Sequence, residues 1–125
     1  MADILVIEDD QRIRELVCRH LASDGYGVTS ESTGLAGLRA LTTSSPDALV
    51  LDLGLPDLDG LDLLKMVRSV DNLPVLVLTA REDEAAILAA FDSGADDYVV
   101  KPISGPQLSA RIAALIRRGR TESSD

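Results

Sequence analysis

The chain has 125 residues, a formal net charge of -9 and 46% hydrophobic residues, with one Phe, two Tyr and no Trp. That is one ordinary domain with an aliphatic core, too acidic to grip nucleic acid or an anionic membrane surface by itself. The single cysteine, Cys18, excludes an intramolecular disulfide. No apolar run approaches the roughly 18 residues of a membrane span, and Met1-Ala2-Asp3 opens nothing like a signal peptide, so no membrane contact and a cytoplasmic location are expected.

Ile4-Leu5-Val6-Ile7 is an unbroken run of β-favouring apolar residues that stops at Glu8-Asp9-Asp10. Such a run, closed by polar residues, reads as a strand of a parallel sheet buried on both faces. Residues 11–23 follow as a helix with Ile13, Leu16, Val17, His20 and Leu21 on one face. Asp10 suits its N-cap and Asp24-Gly25 its end. Tyr26 to Glu31 alternates weakly and reads as a short edge strand; Thr33 to Leu41 is a second helix, with Leu35, Leu38 and Leu41 at helical spacing.

After the loop Ser44-Ser45-Pro46, the apolar run Leu49-Val50-Leu51 meets a lone carboxylate, Asp52, and Gly54 and Pro56 then break the pattern. Asp52 is the last residue of that strand or the first one past it. Leu58 to Val70 is a third helix with Leu61, Leu64, Met66 and Val67 apolar, although Leu63 blurs the stripe. Val75 to Thr79 is another fully apolar strand, ending in a hydroxyl. Glu84 to Ser93 is a helix stopped by Gly94, and Tyr98 to Val100 a short strand ending in Lys101-Pro102. Pro106 to Arg118 is the last helix, with Leu108, Ile112, Leu115 and Ile116 facing in; Gly119 to Asp125 is polar and reads as the start of a linker or tail. Strands alternating with helices five times imply βαβ units: an α/β fold with a parallel sheet and helices on both faces.

In such sheets ligands gather at the carboxyl ends of the strands. The residues that close the strong strands are Glu8 and Asp9, Asp52, Thr79 and Lys101. Singly, each has an ordinary explanation as a turn former, a cap or a surface charge. Together they bring three carboxylates, a hydroxyl and an ammonium to one edge. Crowded carboxylates repel unless a cation is present, and an all-oxygen set of this kind suits Mg²⁺. A carboxylate nucleophile beside a metal and a lysine suggests phosphoryl transfer through an aspartyl phosphate. His20 and Cys18 lie on the first helix, away from this edge, and offer no zinc site.

These motifs resemble the receiver domain of two-component response regulators over essentially the whole chain. They are Ile4 to Asp10, Asp52-Leu53-Gly54-Leu55-Pro56-Asp57 with Gly60, Leu78-Thr79-Ala80, Gly94-Ala95-Asp96-Asp97-Tyr98 and Lys101-Pro102. The resemblance implies a flavodoxin-like (βα)5 three-layer sandwich with strand order 2-1-3-4-5 over residues 1–118. It implies that Asp52 accepts a phosphoryl group from a sensor histidine kinase. Asp9, Asp52 and the backbone carbonyl of Gly54 would bind Mg²⁺, with Glu8 acting through water. Thr79, Ala80, Tyr98 and Lys101 would bind the phosphoryl group and switch, and the Lys101-Pro102 bond would be cis.

The stretches Leu78 to Arg81 and Gly94 to Tyr98 look most like the OmpR/PhoB-type subfamily. That implies a homodimer formed through the fourth helix, fifth strand and fifth helix, involving Asp96, Asp97, Arg111, Ile87 and Leu115. It also implies a C-terminal DNA-binding domain beyond Asp125. Ile87, Gln107 and Ala113 depart from the subfamily's ion-pairing residues, and Ile103 replaces its usual Phe. A phosphate-independent receiver with an altered dimer face is therefore the alternative. A phosphohydrolase would need an acid/base aspartate two residues past Asp52, where Gly54 stands. The domain is thus expected to assist only its own phosphorylation and dephosphorylation, and not to be an enzyme in the wider sense.

Overall fold

Three strands of this chain are apolar on both faces, which is possible only if helices cover both sides of the sheet. The computed structural model describes residues 1–123, with side chains as far as Gly119. The elements run β1 (Asp3–Ile7), α1 (Gln11–Ser23), β2 (Gly27–Glu31), α2 (Gly34–Ser44), β3 (Ala48–Leu51), α3 (Gly60–Val70), β4 (Val75–Thr79), α4 (Glu84–Asp92), β5 (Asp97–Val100) and α5 (Gly105–Ser123). All neighbouring strands pair in parallel, in the order β2-β1-β3-β4-β5. This is the flavodoxin-like three-layer sandwich that the sequence motifs imply.

Side chains alternate across a strand, so each central strand feeds two cores. Ile4, Val6, Val50, Leu76 and Leu78 pack with Val17 and Leu21 of α1 and with Leu108, Ile112, Leu115 and Ile116 of α5. Leu5, Ile7, Leu49, Leu51, Val75 and Val77 pack with Leu41, Leu63, Leu64, Val67 and Ala90 on the other face. The edge strands β2 and β5 are only partly buried, in keeping with their weaker apolar character.

Helix ends follow their caps. Asp10 accepts from the amides of Arg12 and Ile13 at the start of α1. Thr33, Asp59 and Asp83 cap α2, α3 and α4 in the same way. Gly25 and Gly94 follow α1 and α4 with φ of 96° and 111°, the left-handed turn that glycine adopts without strain.

Several expectations shift. β2 begins at Gly27, one residue after Tyr26, and α3 at Gly60, after a loop that holds Leu58. Leu16, Leu35 and Met66 are exposed at 56%, 52% and 43%, whereas Leu63 is fully buried. On α3 the inward stripe is Gly60, Leu63, Leu64 and Val67, so the residue that blurred the pattern belongs to the core and Met66 lies outside it. On α1 the buried positions are Val17 and Leu21. α5 continues past Arg118 to Ser123, so the expected linker begins as helix; its last residues, 124 and 125, lie outside the described residues.

Candidate functional site

The parallel register carries the strand ends to one edge. Ile7 lies opposite Leu51, Leu51 opposite Val77, and Thr79 opposite Val100. Asp52 is the first residue past β3, and its amide still donates to the Ile7 carbonyl at 3.0 Å. Lys101 follows β5, its amide bonded to the Thr79 carbonyl at 2.8 Å. Glu8, Asp52 and Thr79 are the buried polar residues of the core, at 3%, 6% and 1% exposure.

The Lys101 ammonium sits 2.6 Å from Glu8 Oε1 and 3.1 Å from Asp52 Oδ2. Carboxylate oxygens of Glu8, Asp9 and Asp52 lie within 4.8 Å of one another, with Asp9 on the solvent side. One cation therefore faces three carboxylates. Burial pushes Glu8 up to about 7, the Lys101 hydrogen bond only partly offsets this, and the neighbouring Asp52 adds to it. Burial would raise Asp52 as well. Hydrogen bonds from the Glu8 carboxyl, the Gly54 amide, Lys101 and Thr79 overcome that effect and hold it below the usual range. Burial likewise works against the Lys101 charge, but Glu8 and Asp52 hold its pKa up. Burial, with the Asp52 charge beside it, thus gives Glu8 a higher proton affinity than an ordinary carboxylate. Three clustered carboxylates form an all-oxygen donor set that fits a hard divalent ion such as Mg²⁺.

The loop after Asp52 is held in a closed shape. The Gly54 amide donates to Asp52 Oδ1 at 3.2 Å, Gly54 bridges Asp59, and the Gly60 amide donates to the Leu53 carbonyl. A Cβ on Gly60 would fall 2.3 Å from the Leu53 Cα, so this turn requires glycine. Asp57 reaches out of the loop to accept from the amides of Gly34 and Leu35 at the start of α2, at 2.8 and 3.0 Å.

A second chain of contacts leaves Thr79. The Arg81 amide points at Thr79 Oγ1 at a long 3.5 Å, and the Arg81 carbonyl accepts from the Tyr98 hydroxyl at 2.7 Å. The Tyr98 ring is half-buried and tilts against Phe91 of α4, centroids 6.4 Å apart. Ala80 is exposed beside Thr79, and the Lys101-Pro102 bond is cis.

The other sequence-marked residues divide. Asp97 pairs with Arg111 within the chain at 2.9 Å. Asp96 is at the opposite edge of the sheet, where its Oδ2 accepts from Arg68 and from the Val75 amide. Ile87 is half-buried, while Leu115 is 1% exposed and part of the core. Leu115 is thus corrected from a docking residue to a packing one: its place on α5 faces the sheet. His20 Nε2 lies 2.7 Å from Ser109 Oγ, away from the acidic site. Two residues next to the site were given no role from the sequence: Asp57, named there only within a motif, and Arg14. The Arg14 guanidinium donates to the carbonyls of Glu8 and Asp9. Their partners are backbone groups, which no side-chain pattern announces.

The response regulator receiver domain family matches residues 4–113 of the chain. The transcriptional regulatory protein AfsQ1 of Streptomyces coelicolor is 44% identical over 125 residues, all of this chain and 56% of that protein. The response regulator MprA of Mycobacterium avium is 45% identical over 120 residues, 95% of this chain and 53% of that protein. The chain thus spans about half the length of these curated relatives. Among solved structures, a two-component response regulator from Clostridium difficile is similar with a TM-score of 0.92 at 28% identity, covering 94% of this chain and 98% of that one. A CheY-like receiver domain protein from Methanospirillum hungatei has the same fold, with a TM-score of 0.93 at 24% identity over 98% of both chains. Among the described residues, no helix is long and apolar enough to cross a membrane.

Proposed function

The chain belongs to the response regulator receiver domain family, and from that premise we propose that it is a phosphorylation-gated switch with Asp52 as the phosphoacceptor. The observation that carries this is the buried Asp52 carboxylate, held below its usual proton affinity with Lys101 at 3.1 Å. An ionised oxygen so held is free to attack. It forms a bond to phosphorus as the P–N bond of a kinase phosphohistidine breaks, and the imidazole departs. Asp9, Asp52 and the Gly54 carbonyl would hold Mg²⁺, with Glu8 acting through water, and the ion would supply neutralisation of phosphoryl charge. Lys101 neutralises the rest, and the Thr79 hydroxyl supplies a hydrogen bond to the attached group.

Transmission runs through Arg81, whose amide faces Thr79 and whose carbonyl holds Tyr98. A phosphoryl group that draws Thr79 toward it biases this loop, and with it Tyr98 and α4, between two arrangements. Thr79→Ala keeps phosphorylation but uncouples it from self-association, as read by sedimentation with and without the phosphoryl group. Ala80 beside Thr79 completes the phosphoryl-binding turn.

The wider role is cytoplasmic control of transcription, in the manner of the OmpR/PhoB-type subfamily. A sensor histidine kinase is the donor, a homodimer through α4, β5 and α5 the active form, and a C-terminal domain outside this chain the DNA reader. Leu88 and Phe91 are exposed at 61% and 47% on α4, and Asp97 and Arg111 are already paired within the chain. That supports a dimer contact richer in apolar than in ionic groups. The full set of Glu8, Asp9, Asp52, Thr79 and Lys101 argues against a phosphate-independent receiver.

Incubation with Mg²⁺ and a small acyl phosphate, followed by intact mass, tests the reading. A single phosphoryl adduct is expected, absent in Asp52→Asn and abolished by chelator. No adduct on the folded wild type overturns it.

A further inference from the structure

Beyond the residues that touch metal or phosphoryl group, we propose that Arg14 is a positioning residue for the acidic site, holding the Glu8–Asp9 backbone in its metal-competent shape. The inference rests on the reading of Glu8 and Asp9 as metal-site residues. These two residues lie past the end of β1. The loop is nevertheless pinned. The Glu8 amide donates to the Glu31 carbonyl at 3.0 Å, and the Asp10 amide to Glu8 Oε2 at 3.2 Å. Asp10 in turn caps α1.

What those bonds leave free are the two carbonyls between which the Asp9 side chain departs. Arg14 takes both: one guanidinium nitrogen donates to the Glu8 carbonyl at 2.9 Å and to the Asp9 carbonyl at 3.3 Å. It sits one helical turn along α1 from Asp10, its own amide bonded to the Asp10 carbonyl at 2.9 Å. The anchor is therefore a rigid helix, and the anchored segment is the one that carries two of the three clustered carboxylates. Carboxylates gathered within 4.8 Å repel one another when ionised, which strains the loop that carries them. A clamp on the backbone, whose positive charge pairs with no carboxylate among the described residues, opposes that without competing with the cation for ligand oxygens. Outer residues that orient ligands in this way are worth roughly 10- to 100-fold in metal affinity.

The test is Mg²⁺ titration calorimetry on the 125-residue chain and two variants, with circular dichroism to show folding. Arg14→Met keeps the apolar stem and removes the donors; its Mg²⁺ affinity is expected to fall about 10-fold or more, with the phosphoryl adduct recovered at saturating Mg²⁺. Arg14→Lys keeps the charge but replaces the planar guanidinium with an ammonium on a shorter stem, and is expected to stay weaker than wild type. A folded Arg14→Met variant within about twofold of wild type overturns the assignment, since a positioning loss is far larger. Wild-type affinity in Arg14→Lys also overturns it, because charge alone would then suffice; should the methionine variant not fold, this arm decides. A wild-type chain that binds no Mg²⁺ at all sinks the site reading itself, and the inference with it.

Discussion

The two edges of this sheet each bury a cation among oxygens, and they could hardly differ more. At the amino-terminal edge Arg68 donates to the carbonyls of Gly94 and Leu73 and to Asp96, whose carboxylate also takes the Val75 amide. Donors and acceptors there are matched, and one positive charge meets one negative. At the carboxyl-terminal edge Lys101 meets Glu8 and Asp52, Asp9 stands beside them, and Glu8 keeps a proton up to about pH 7. A matched cluster is a structural tie. A mismatched one has a net charge to give to something that arrives, which is what a site for a cation and a phosphoryl group requires.

The largest break in this comparison comes from Lys101. Lys101→Met removes the cation that, among the described residues, faces both buried carboxylates, and phosphorylation by a small acyl phosphate should slow about 100-fold, the scale of losing a preorganised oxyanion partner. Stopped-flow or timed intact-mass measurement at saturating Mg²⁺ reads it. A rate near wild type would mean that the lysine is a structural tie like Arg68.

Arg68→Met is the mirror experiment. It strips several charge-assisted hydrogen bonds and should cost about 2–3 kcal/mol of stability in urea unfolding. The phosphoryl adduct and Mg²⁺ affinity should stay unchanged. Altered Mg²⁺ affinity would show that the two edges are coupled.

Glu8→Gln sharpens the difference in charge balance and has the smallest effect. Glu8 moves from an ordinary 4.5 in the unfolded chain to about 7 in the fold, so between those values the folded state binds more protons. Without metal, stability should therefore fall as pH rises through that window, and it should fall less in the glutamine variant. Mg²⁺ binding draws the proton off, so wild-type affinity should rise with pH up to about 7 and level off above it. A pH-independent affinity in wild type would mean that the proton is not held on Glu8.

Much of this was readable in the chain. Ile4 to Ile7, Leu49 to Leu51 and Val75 to Thr79 announce themselves because a strand covered on both faces has no reason to alternate. The residue that closes each run is then visible by contrast. Helix faces were less legible. Leu16, Leu35 and Met66 have core chemistry but no neighbour to bury them, and Leu63 looked misplaced until α3 was seen to start at Gly60. Leu115 read as inward from its spacing but as a docking position from the subfamily resemblance, and the packing upholds the spacing. The roles of Arg14, Asp57 and Arg68 were not legible because their partners are backbone groups, joined for Arg68 by the Asp96 carboxylate.

What the sequence determined by itself is the order of strands and helices and the chemistry placed at each strand end, since both follow from local apolar runs and the residues that interrupt them. Only the tertiary structure decided how those groups share charge. Lys101 reaches Asp52 across 49 residues, and Glu8 holds a proton because residues from distant parts of the chain exclude water around it. Proton affinity depends on solvent and on neighbouring charges, and neither exists for a residue until the chain has folded around it.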